Sequence, residues 1–488
     1  MLFPMDLDFE KPAPKPGTLE ECHLVIEALW EFCRALKQEV AELKQEVTLL
    51  RQENAELKEK LNLNSNNSSK PPSQDLKKKK KKKQNNGNGR KPGGQPGHVG
   101  VSRKLVPPEQ VDKVITCPPP DKCGDCDAPL LPLNEIVRHQ VYEVPLPRYE
   151  ITEYQLLQGY CSCCQKTYSG QTPAEIGRRG FGIRTHASIA LLTSKFKLSK
   201  RQALILLKDF FQMPICVGSI SNIEHRVSQA LAPLHEQIKN RIDGSKIAHI
   251  DETGFKQNNR SGWAWVMANE CFSFFKLEYS RGKKVAKQLI GNFINRIIVS
   301  DRYPAYNFLP TSCHQICWAH LKRDFQKISE RSEIAGVIGR RLLHQYGKIF
   351  AFWKSSLQQG GYNDDKRAQK KRRRLKNGLI KNLQFGSECT HPKTARTCRN
   401  ILETGEGLWL FLEDPDVPAT NNLAERQIRP LVIAKKISFG VKSERGARFI
   451  ERIYSLVLTS QQQNKDVLSW LQNSVTQYFT GNASPIFS

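Results

Sequence analysis

Four runs of apolar residues between positions 246 and 301 predict the sheet around which this chain folds. The runs are KIAHIDET (residues 246–253), GWAWVM (262–267), CFSFFKL (271–277) and RIIVSD (296–301). A helical pattern from Lys283 to Phe293 separates the third run from the fourth. Short runs of β-branched and aromatic side chains are typical of strands. We therefore expect three strands, a helix and a fourth strand, in an α/β domain with a mixed sheet.

This order of elements describes the opening half of a ribonuclease-H-like fold, and two of its strands run into an aspartate. Asp251 lies in the first run and Asp301 ends the fourth. Carboxylates at the ends of adjacent strands stand side by side, which is electrostatically unfavourable unless cations neutralise them. Mg²⁺ accepts such hard oxygen ligands. Taken separately, each aspartate also fits an ordinary turn after a strand.

A third carboxylate lies in the stretch PATNNLAERQIRPL, residues 418–431. Thr420 or Asn421 can cap a helix here. On that helix Glu425 shares a face with Asn421 and Arg429. A glutamate so placed would lean over the two aspartates and complete a two-metal site. Taken alone, the same motif would be a Glu–Arg surface pair.

The stretch Cys317-Trp-Ala-His320 follows a further strand pattern and leads into a helix. A cysteine and a histidine at this spacing invite a zinc site, but two ligands do not make one. We expect Trp318 in the core and His320 at the wall of the site. His320 is then an accessory residue, as are Asn421 and Arg429.

Two Cys-x₂-Cys pairs predict a structural zinc site in the first half of the chain. The pairs are Cys123–Cys126 and Cys161–Cys164, on either side of a stretch with strand character. Knuckles of this kind at hairpin tips can close a tetrahedral Zn²⁺ site with four thiolates. The extra Cys163 leaves the exact ligand of the second pair open, and a set of unrelated buried or reactive thiols is the alternative.

A seven-residue apolar repeat runs from position 26 to position 61. Leucine fills one core position at 29, 36, 43, 50 and 57, and the other core position reads Ile26, Cys33, Val40, Val47, Asn54 and Leu61. β-branched residues at a with leucine at d favour two parallel strands, and Asn54 would set their register. We expect a parallel homodimer through this leucine zipper. The alternative is a solitary amphipathic helix packed on its own domain.

The composition favours a polyanionic partner such as DNA. The 488 residues carry 75 Lys+Arg against 48 Asp+Glu, a formal charge of +27. Seven consecutive lysines, Lys77–Lys83, lie in a polar segment that cannot bury a core, and they would track phosphates or act as a solvated spacer. Helical patterns over residues 186–240, with Ser199 and Ser219 as N-caps, suit a helix-turn-helix, and they occur equally in purely structural bundles. Because no apolar run reaches membrane-spanning length and the start lacks a signal peptide's basic flank, we expect neither a secreted nor an integral membrane protein.

Taken together, these motifs resemble a DDE transposase of the insertion sequence 66 family. The resemblance rests on Asp251 in HIDETG, Asp301 in SDRYPAYN, the CWAH motif with its basic helix, and Glu425 in NNLAERQIRP. Upstream, the zipper, the stretches SSKPPS and RKPGGQPGH, and the paired cysteines resemble the N-terminal half of that family.

The resemblance implies an activity and its cofactors. Asp251, Asp301 and Glu425 would form a catalytic triad that holds two Mg²⁺ or Mn²⁺ ions, while one structural Zn²⁺ belongs to a DNA-recognising domain. Such an enzyme binds the terminal inverted repeats of its element and catalyses strand cleavage and strand transfer into target DNA. Helper proteins of the same element are further expected partners, and the resemblance implies a location in the bacterial cytoplasm, associated with the nucleoid.

The expected segments of the chain follow from these motifs. They are a tail (1–21), a coiled coil (22–61), a disordered basic linker (62–105), a zinc-binding domain (106–177), a helical DNA-binding domain (178–243), a ribonuclease-H-like catalytic core (244–328 and 413–460), a helical insertion (329–412), and a C-terminal helix and tail (461–488). Two other functions stay open: a catalytically silent, transposase-derived DNA-binding protein, and a nuclease or resolvase on the same fold.

Overall fold

The computed structural model describes residues 15–64, 67, 104–130, 136–144, 149–177, 179–292, 296–358, 361, 366–483 and 485. Most of the predicted basic linker, including the seven lysines, lies outside these residues. In chain order the helices and strands are α1 (Leu19–Leu61), β1 (Gln158–Cys161), β2 (Lys166–Ser169), α2 (Ile183–Thr193), α3 (Lys200–Phe211), α4 (Val217–Ala230), α5 (Ala232–Asp243), β3 (Ile247–Gly254), β4 (Trp263–Ala268), β5 (Ser273–Glu278), α6 (Lys283–Ile290), β6 (Ile297–Ser300), β7 (His314–Ile316), α7 (Trp318–Ser329), α8 (Glu333–Gln358), α9 (Lys366–Ser387), α10 (Pro392–Leu402), α11 (Leu410–Glu413), α12 (Asn422–Ser438), α13 (Glu444–Gln462) and α14 (Val467–Thr480).

The N-terminal helix α1 is 43 residues long, which confirms the predicted long helix. It begins three residues before the predicted position because Thr18 caps it, accepting a hydrogen bond from the backbone N–H of Glu21 at 3.3 Å. The leucines of the heptad repeat are exposed along α1, with Leu43 at 52%. An apolar stripe of this length in contact with water is the surface that a coiled-coil partner would cover.

The C-terminal end of α1 is held by Glu59. Its carboxylate accepts hydrogen bonds from Arg331 at 2.9 Å and from Lys393 at 3.0 Å. Burial alone would raise the pKa of Glu59, but the two cations outweigh it and lower the pKa to about 2. The end of the long helix is therefore joined by charge to the segment between α7 and α8 and to the start of α10.

The chain forms two compact units. One comprises Lys77–Leu231 and Leu468–Pro485, and the other comprises Met1–Leu76, Ala232–Val467 and Ile486–Ser488. Helix α14, which the sequence assigned to a separate C-terminal segment, therefore lies mostly in the unit that contains α2, α3 and α4. There the ring of Phe479 meets His186 edge-on at 5.2 Å and lies 3.6 Å from the guanidinium of Arg179.

The helix starts in this first unit were predicted only in part. Ser199 caps α3 in a capping box, with its hydroxyl accepting from Gln202 N at 3.2 Å and its N–H donating to Gln202 Oε1 at 2.9 Å, as expected. The prediction for Ser219 was wrong, since α4 begins earlier. Cys216 caps α4, and its sulfur accepts the N–H of Ser219 at 3.4 Å.

The stretch predicted to have strand character before the second cysteine pair does not form regular strands in its described parts, 136–144 and 149–157. Its apolar side chains are exposed, with Val137 at 96% and Ile151 at 78%. Burial on one face is what stabilises a sheet, and this stretch has none. The strands lie later, in the β1–β2 hairpin.

The second unit contains a five-stranded mixed sheet, which confirms the predicted sheet type. The strand order is β5-β4-β3-β6-β7, in which β3, β4 and β5 are antiparallel neighbours and β6 and β7 run parallel to β3. Strand β3 is central, and its register pairs Ile247 with Ile297 and His249 with Val299. The two predicted aspartate-bearing strands are therefore direct neighbours.

The outer edge of β5 is covered by α13. Glu451, Ser455 and Thr459 follow one another at four-residue spacing, and their side-chain oxygens accept the N–H groups of Leu277, Phe275 and Ser273 at 2.8, 2.9 and 3.0 Å. An open strand edge invites pairing with another chain, and these three bonds satisfy its donors.

Helices α7 to α11 pack around the side chain of Trp318, which is fully buried as predicted and donates Nε1–H to Leu408 O at 2.7 Å. Helices α7 and α8 approach so closely that a Cβ on Gly339 would overlap the backbone of Ser329. A side chain on Gly347, further along α8, would meet open space. Within the described chain, no helix is both long enough and apolar enough to cross a membrane.

Candidate active site

Asp251 lies on β3, and Asp301 directly follows the last residue of its parallel neighbour β6. In the parallel pair β3–β6, His249 lies beside Val299. Two residues further along both chains, the same register sets Asp251 beside Asp301. Adjacent strands lie about 4.8 Å apart, and residues in register point to the same face of a sheet. Both aspartates are half-buried, and each accepts one backbone hydrogen bond, from Glu252 N at 2.9 Å and from Tyr303 N at 3.0 Å.

The electrostatic environment of Asp251 disfavours its negative charge. Burial raises the pKa of Asp251 well above its usual value, and the neighbouring carboxylates of Glu252, Asp301 and Glu425 raise it further. The hydrogen bond from Glu252 N lowers the pKa but does not compensate. A carboxylate in this position binds a proton or a cation.

Glu425 lies in the first turn of α12, where its charge acts on Asp251. Its Oε1 lies 3.6 Å from Nδ1 of His320, and its Oε2 lies 3.7 Å from the guanidinium of Arg323. Arg429 is exposed, and among the described residues no ion pair joins it to Glu425. The Glu–Arg surface pair that the sequence allowed is therefore absent, and Glu425 faces α7 instead.

A buried asparagine joins the start of α12 to the sheet. The Asn421 amide Nδ2 donates to Ile250 O at 2.8 Å, its Oδ1 lies 3.0 Å from His249 Nδ1, and its backbone N–H donates to Cys317 Sγ at 3.1 Å. Burial lowers the pKa of His249 to about 4, so the ring is neutral at pH 7. Because Asn421 Oδ1 can only accept, His249 carries its proton on Nδ1. These bonds fix the first turn of α12, and with it Glu425, relative to β3.

Cys317 and His320 gain a third donor from the fold. Ligand atoms of Cys317, His320 and Glu425 lie within 4.8 Å of one another, and three such donors could hold a metal ion. His320 Nδ1 and Glu425 Oε1 are buried and have no hydrogen-bond partner among the described residues. Burial raises the pKa of the Cys317 thiol to about 11, which keeps it protonated at pH 7 and opposes metal binding.

The sequence did not single out a buried carboxylate next to Asp251. Glu252 is 8% exposed. Its carboxylate accepts hydrogen bonds from Arg281 Nε at 2.8 Å and from the hydroxyl of Tyr306. Burial raises the pKa of Glu252, and these two donors partly oppose that rise. Arg281 also lies 3.6 Å from the ring of Tyr303. The partners lie 29 and 54 residues away along the chain, so no local pattern could have identified them.

The two cysteine pairs each form a tight turn. Hydrogen bonds from the backbone of Asp125 and Cys126 lower the pKa of Cys123, and the backbone of Cys164 does the same for Cys161 at the tip of the β1–β2 hairpin. Such bonds favour the thiolate, the form that binds zinc. Among the described residues the two pairs do not come together as one cluster of donors. The four-cysteine zinc site therefore stays a prediction.

Comparison with known proteins covers the sheet and most of the helices around it. The family model described as "Transposase IS66 family" matches residues 181–449, and a model for a family of unknown function (DUF6444) matches residues 11–104. Two uncharacterized proteins of Sinorhizobium fredii (strain NBRC 101917 / NGR234) are similar. The protein y4qI is 25% identical over 283 residues, which are 51% of this chain and 51% of y4qI. The protein y4hP is 21% identical over 415 residues, 76% of this chain and 72% of y4hP. This chain thus spans about half the length of y4qI.

Proposed function

This chain belongs to the IS66 transposase family, and on that premise we propose that it is a DDE transposase with Asp251, Asp301 and Glu425 as its catalytic triad. It binds the terminal inverted repeats of an insertion sequence and catalyses Mg²⁺-dependent strand cleavage and strand transfer. The observation that carries this proposal is the electrostatic coupling of three carboxylates. Strand register sets Asp251 beside Asp301, and the charge of Glu425 acts on Asp251.

The sheet topology supports a ribonuclease-H-like core. Three antiparallel strands followed by two parallel ones, in the order β5-β4-β3-β6-β7, place the central strand between the hairpin and the parallel half. In this arrangement the central strand and its parallel neighbour supply Asp251 and Asp301. The helix that supplies Glu425 follows much later in the chain, after the helices α7 to α11.

Three carboxylates supply the oxygen donors that suit a divalent cation, although among the described residues their oxygens do not form a group within 4.8 Å of one another. Burial raises the pKa of Asp251 most, and the charges of Glu252, Asp301 and Glu425 raise it further, so a bound cation would relieve the repulsion. Asp251, Asp301 and Glu425 would hold Mg²⁺ or Mn²⁺ through hard oxygen ligands. The chemistry that such an ion would supply is activation of an attacking water or 3′-hydroxyl and stabilisation of the leaving oxygen.

The other residues of the site hold the triad in place. Asn421 and His249 fix the first turn of α12, and His320 and Arg323 face the carboxylate of Glu425 from α7. An acid held between the sheet and α7 has few alternative positions. This reduces the reorganisation needed when phosphate oxygens arrive.

The N-terminal parts would serve DNA recognition and pairing of the two ends. We assign terminal-repeat binding to the helices over residues 178–243 and to a zinc domain held by the cysteines at 123, 126, 161 and 164. The exposed stripe on α1 would pair two copies, so that both ends of the element are held in one complex. Helper proteins of the element are further expected partners. Because the substrate is bacterial DNA, we place this activity in the cytoplasm, at the nucleoid.

The zinc proposal is tested by metal analysis of the purified chain. We expect one Zn²⁺ per chain in the wild type and a loss of zinc in Cys123→Ser. Cys117→Ser is the matched control because Cys117 is exposed and lies outside both pairs. Full zinc content in Cys123→Ser would remove this cysteine from the site.

The catalytic proposal is tested with Asp301→Asn in the full chain. We expect binding to the element's ends to persist while Mg²⁺-dependent cleavage falls to background, because an amide is a far weaker metal ligand than a carboxylate. Asp416→Asn is the matched control, since the side chain of Asp416 is 74% exposed and its salt bridge to Lys246 is 3.7 Å long. Cleavage at the wild-type rate in Asp301→Asn would overturn the triad.

Two further outcomes separate the rival functions. Strand transfer from a pre-cleaved end is expected of a transposase and not of a nuclease or resolvase. Wild-type protein that binds ends but neither cuts nor joins them would be a catalytically silent DNA-binding protein.

A further inference from the structure

A cleft of about 780 Å³ opens beside Glu425, within the unit that contains the sheet. Arg323 lines the cleft and also lies 3.7 Å from Glu425. Thr420 and Asn422, which also line it, flank the buried Asn421. The cleft and the proposed catalytic carboxylate therefore share Arg323 as a neighbour.

One wall of the cleft is aromatic. Tyr346, Phe350 and Trp353 lie on α8 at i, i+4 and i+7, which places them on one face of the helix. The rings of Tyr346 and Phe350 are stacked at 4.3 Å, and Trp353 meets Phe350 edge-on at 5.3 Å. All three are half-buried: they pack against the core at Trp318 and Phe411, and their remaining surface lines the cleft.

The rim of the cleft is cationic. Lys322, Arg323 and Lys354 line it, and Lys322 lies 5.8 Å from the ring centroid of Tyr346. Among the described residues that line the cleft, Glu330 alone is acidic, and its carboxylate accepts hydrogen bonds from Gln326 and Asn67. The cleft thus offers aromatic faces and positive charge in one place.

We propose that this cleft binds a single unpaired nucleotide of the DNA next to the cleavage site, with its base on the aromatic stripe and its phosphate at the lysines. The proposal rests on the proposed function, since it names what the same site holds. Aromatic faces beside cations are the elements by which proteins bind unpaired strands, because every base has a π-face and every nucleotide a phosphate. A paired base shows only its edges, so a base must leave the stack to use such a wall. The volume lies within the range of about 300–1,000 Å³ typical of small-ligand sites.

The proposal is tested on the full chain in buffer without Mg²⁺ or Mn²⁺, where cleavage does not contribute and the proposed zinc is kept. The probe is a short single-stranded oligonucleotide with one 2-aminopurine, whose fluorescence is quenched on stacking. In Tyr346→Leu we expect the quenching to be lost and the affinity to fall about 5- to 100-fold. Tyr346→Phe keeps the aromatic ring and should keep both the quenching and the affinity. The comparison of the two variants separates a loss of stacking from a general loss of structure.

The charge at the rim is tested with a matched pair on α8. Lys354→Ala should weaken binding and reduce the slope of log affinity against log salt by about 1. Lys348→Ala makes the same change on the same helix at an exposed position outside the cleft, and it should alter neither.

Equal quenching and affinity in Tyr346→Leu, Lys354→Ala and Lys348→Ala would overturn the proposal and leave the cleft as a structural feature. This outcome differs from a failure of the proposed function. If quenching is lost in Tyr346→Leu but the wild-type protein does not cleave DNA, the nucleotide site is kept and the catalytic proposal is rejected. If the wild-type protein cleaves DNA but the cleft variants quench as the wild type does, the catalytic proposal is kept and the nucleotide site is rejected.

Discussion

Replacing Asn421 by alanine tests how the glutamate is held over the sheet. The change removes the donor to Ile250 O at 2.8 Å and the acceptor for His249 Nδ1–H at 3.0 Å, while the backbone bond to Cys317 stays. Both groups that lose a partner are buried, and each such loss costs about 1–3 kcal/mol. The free energy that holds the first turn of α12 on β3 should therefore fall by about 2–6 kcal/mol.

This loss should appear as local opening rather than as unfolding of the whole chain. Hydrogen exchange of amides in α12 reports that opening, and at about 1.4 kcal/mol per factor of ten the exchange should accelerate at least about 30-fold. Asn422→Ala is the matched control, because it removes the same side chain at the next position, where it is exposed. Cleavage should fall with the loss of protection, since Glu425 then samples other positions.

The pH dependence of stability reports the burial of His249, which lowers its pKa, while the hydrogen bond with Asn421 opposes that shift. The pKa of His249 falls from 6.5 to about 4 on folding, so the unfolded state binds more protons between these values. The contribution of the neutral His249 ring to the free energy of unfolding is thus fully present above pH 6.5 and is lost as the pH falls towards 4. Exchange rates in Asn421→Ala that match those of Asn422→Ala, or cleavage at the wild-type rate in Asn421→Ala, would refute the reasoning.

Three further predictions concern packing, charge and assembly. Gly339→Ala should lower the free energy of unfolding, measured by thermal denaturation, by about 1–3 kcal/mol because the added Cβ has no room. Gly347→Ala, in open space on the same helix, should raise it by up to about 1 kcal/mol. Changes of the same sign in the two variants would contradict this prediction. Glu59→Gln should lower the free energy of unfolding by about 1 kcal/mol, allowing for partial solvent screening. The pKa of Glu59 is about 2 in the folded state and 4.5 in the unfolded state. In denaturation experiments the difference in stability between wild type and variant should therefore be full above pH 4.5 and vanish below about pH 2. Leu43→Lys, on the heptad seam, should convert a dimer to a monomer in light scattering. Leu49→Lys, which is also exposed (65% against 52% for Leu43) but lies off the seam, should not. A dimer that survives Leu43→Lys would reject the zipper.

Local patterns in the sequence determined much of the architecture. The heptad repeat predicted the long helix α1, and four apolar runs predicted strands of a mixed sheet with Asp251 and Asp301 on two of them. Both inferences rest on periodicity and on the preference of β-branched and aromatic residues for strands, which neighbouring residues express without help from the rest of the chain. Where burial was missing, as in the stretch around Val137, the same preference failed to produce a strand.

Only the tertiary structure decided which side chains meet. Asn421 bonds His249 from 172 residues away, Glu451 caps an edge strand 174 residues away, and Glu425 turns from its helical neighbour Arg429 towards α7. The aromatic cleft likewise needs α7, α8 and the residues that flank the start of α12 to come together. A contact across such distances depends on how elements pack and on which buried polar groups need partners, and neither leaves a periodic trace in the residues nearby.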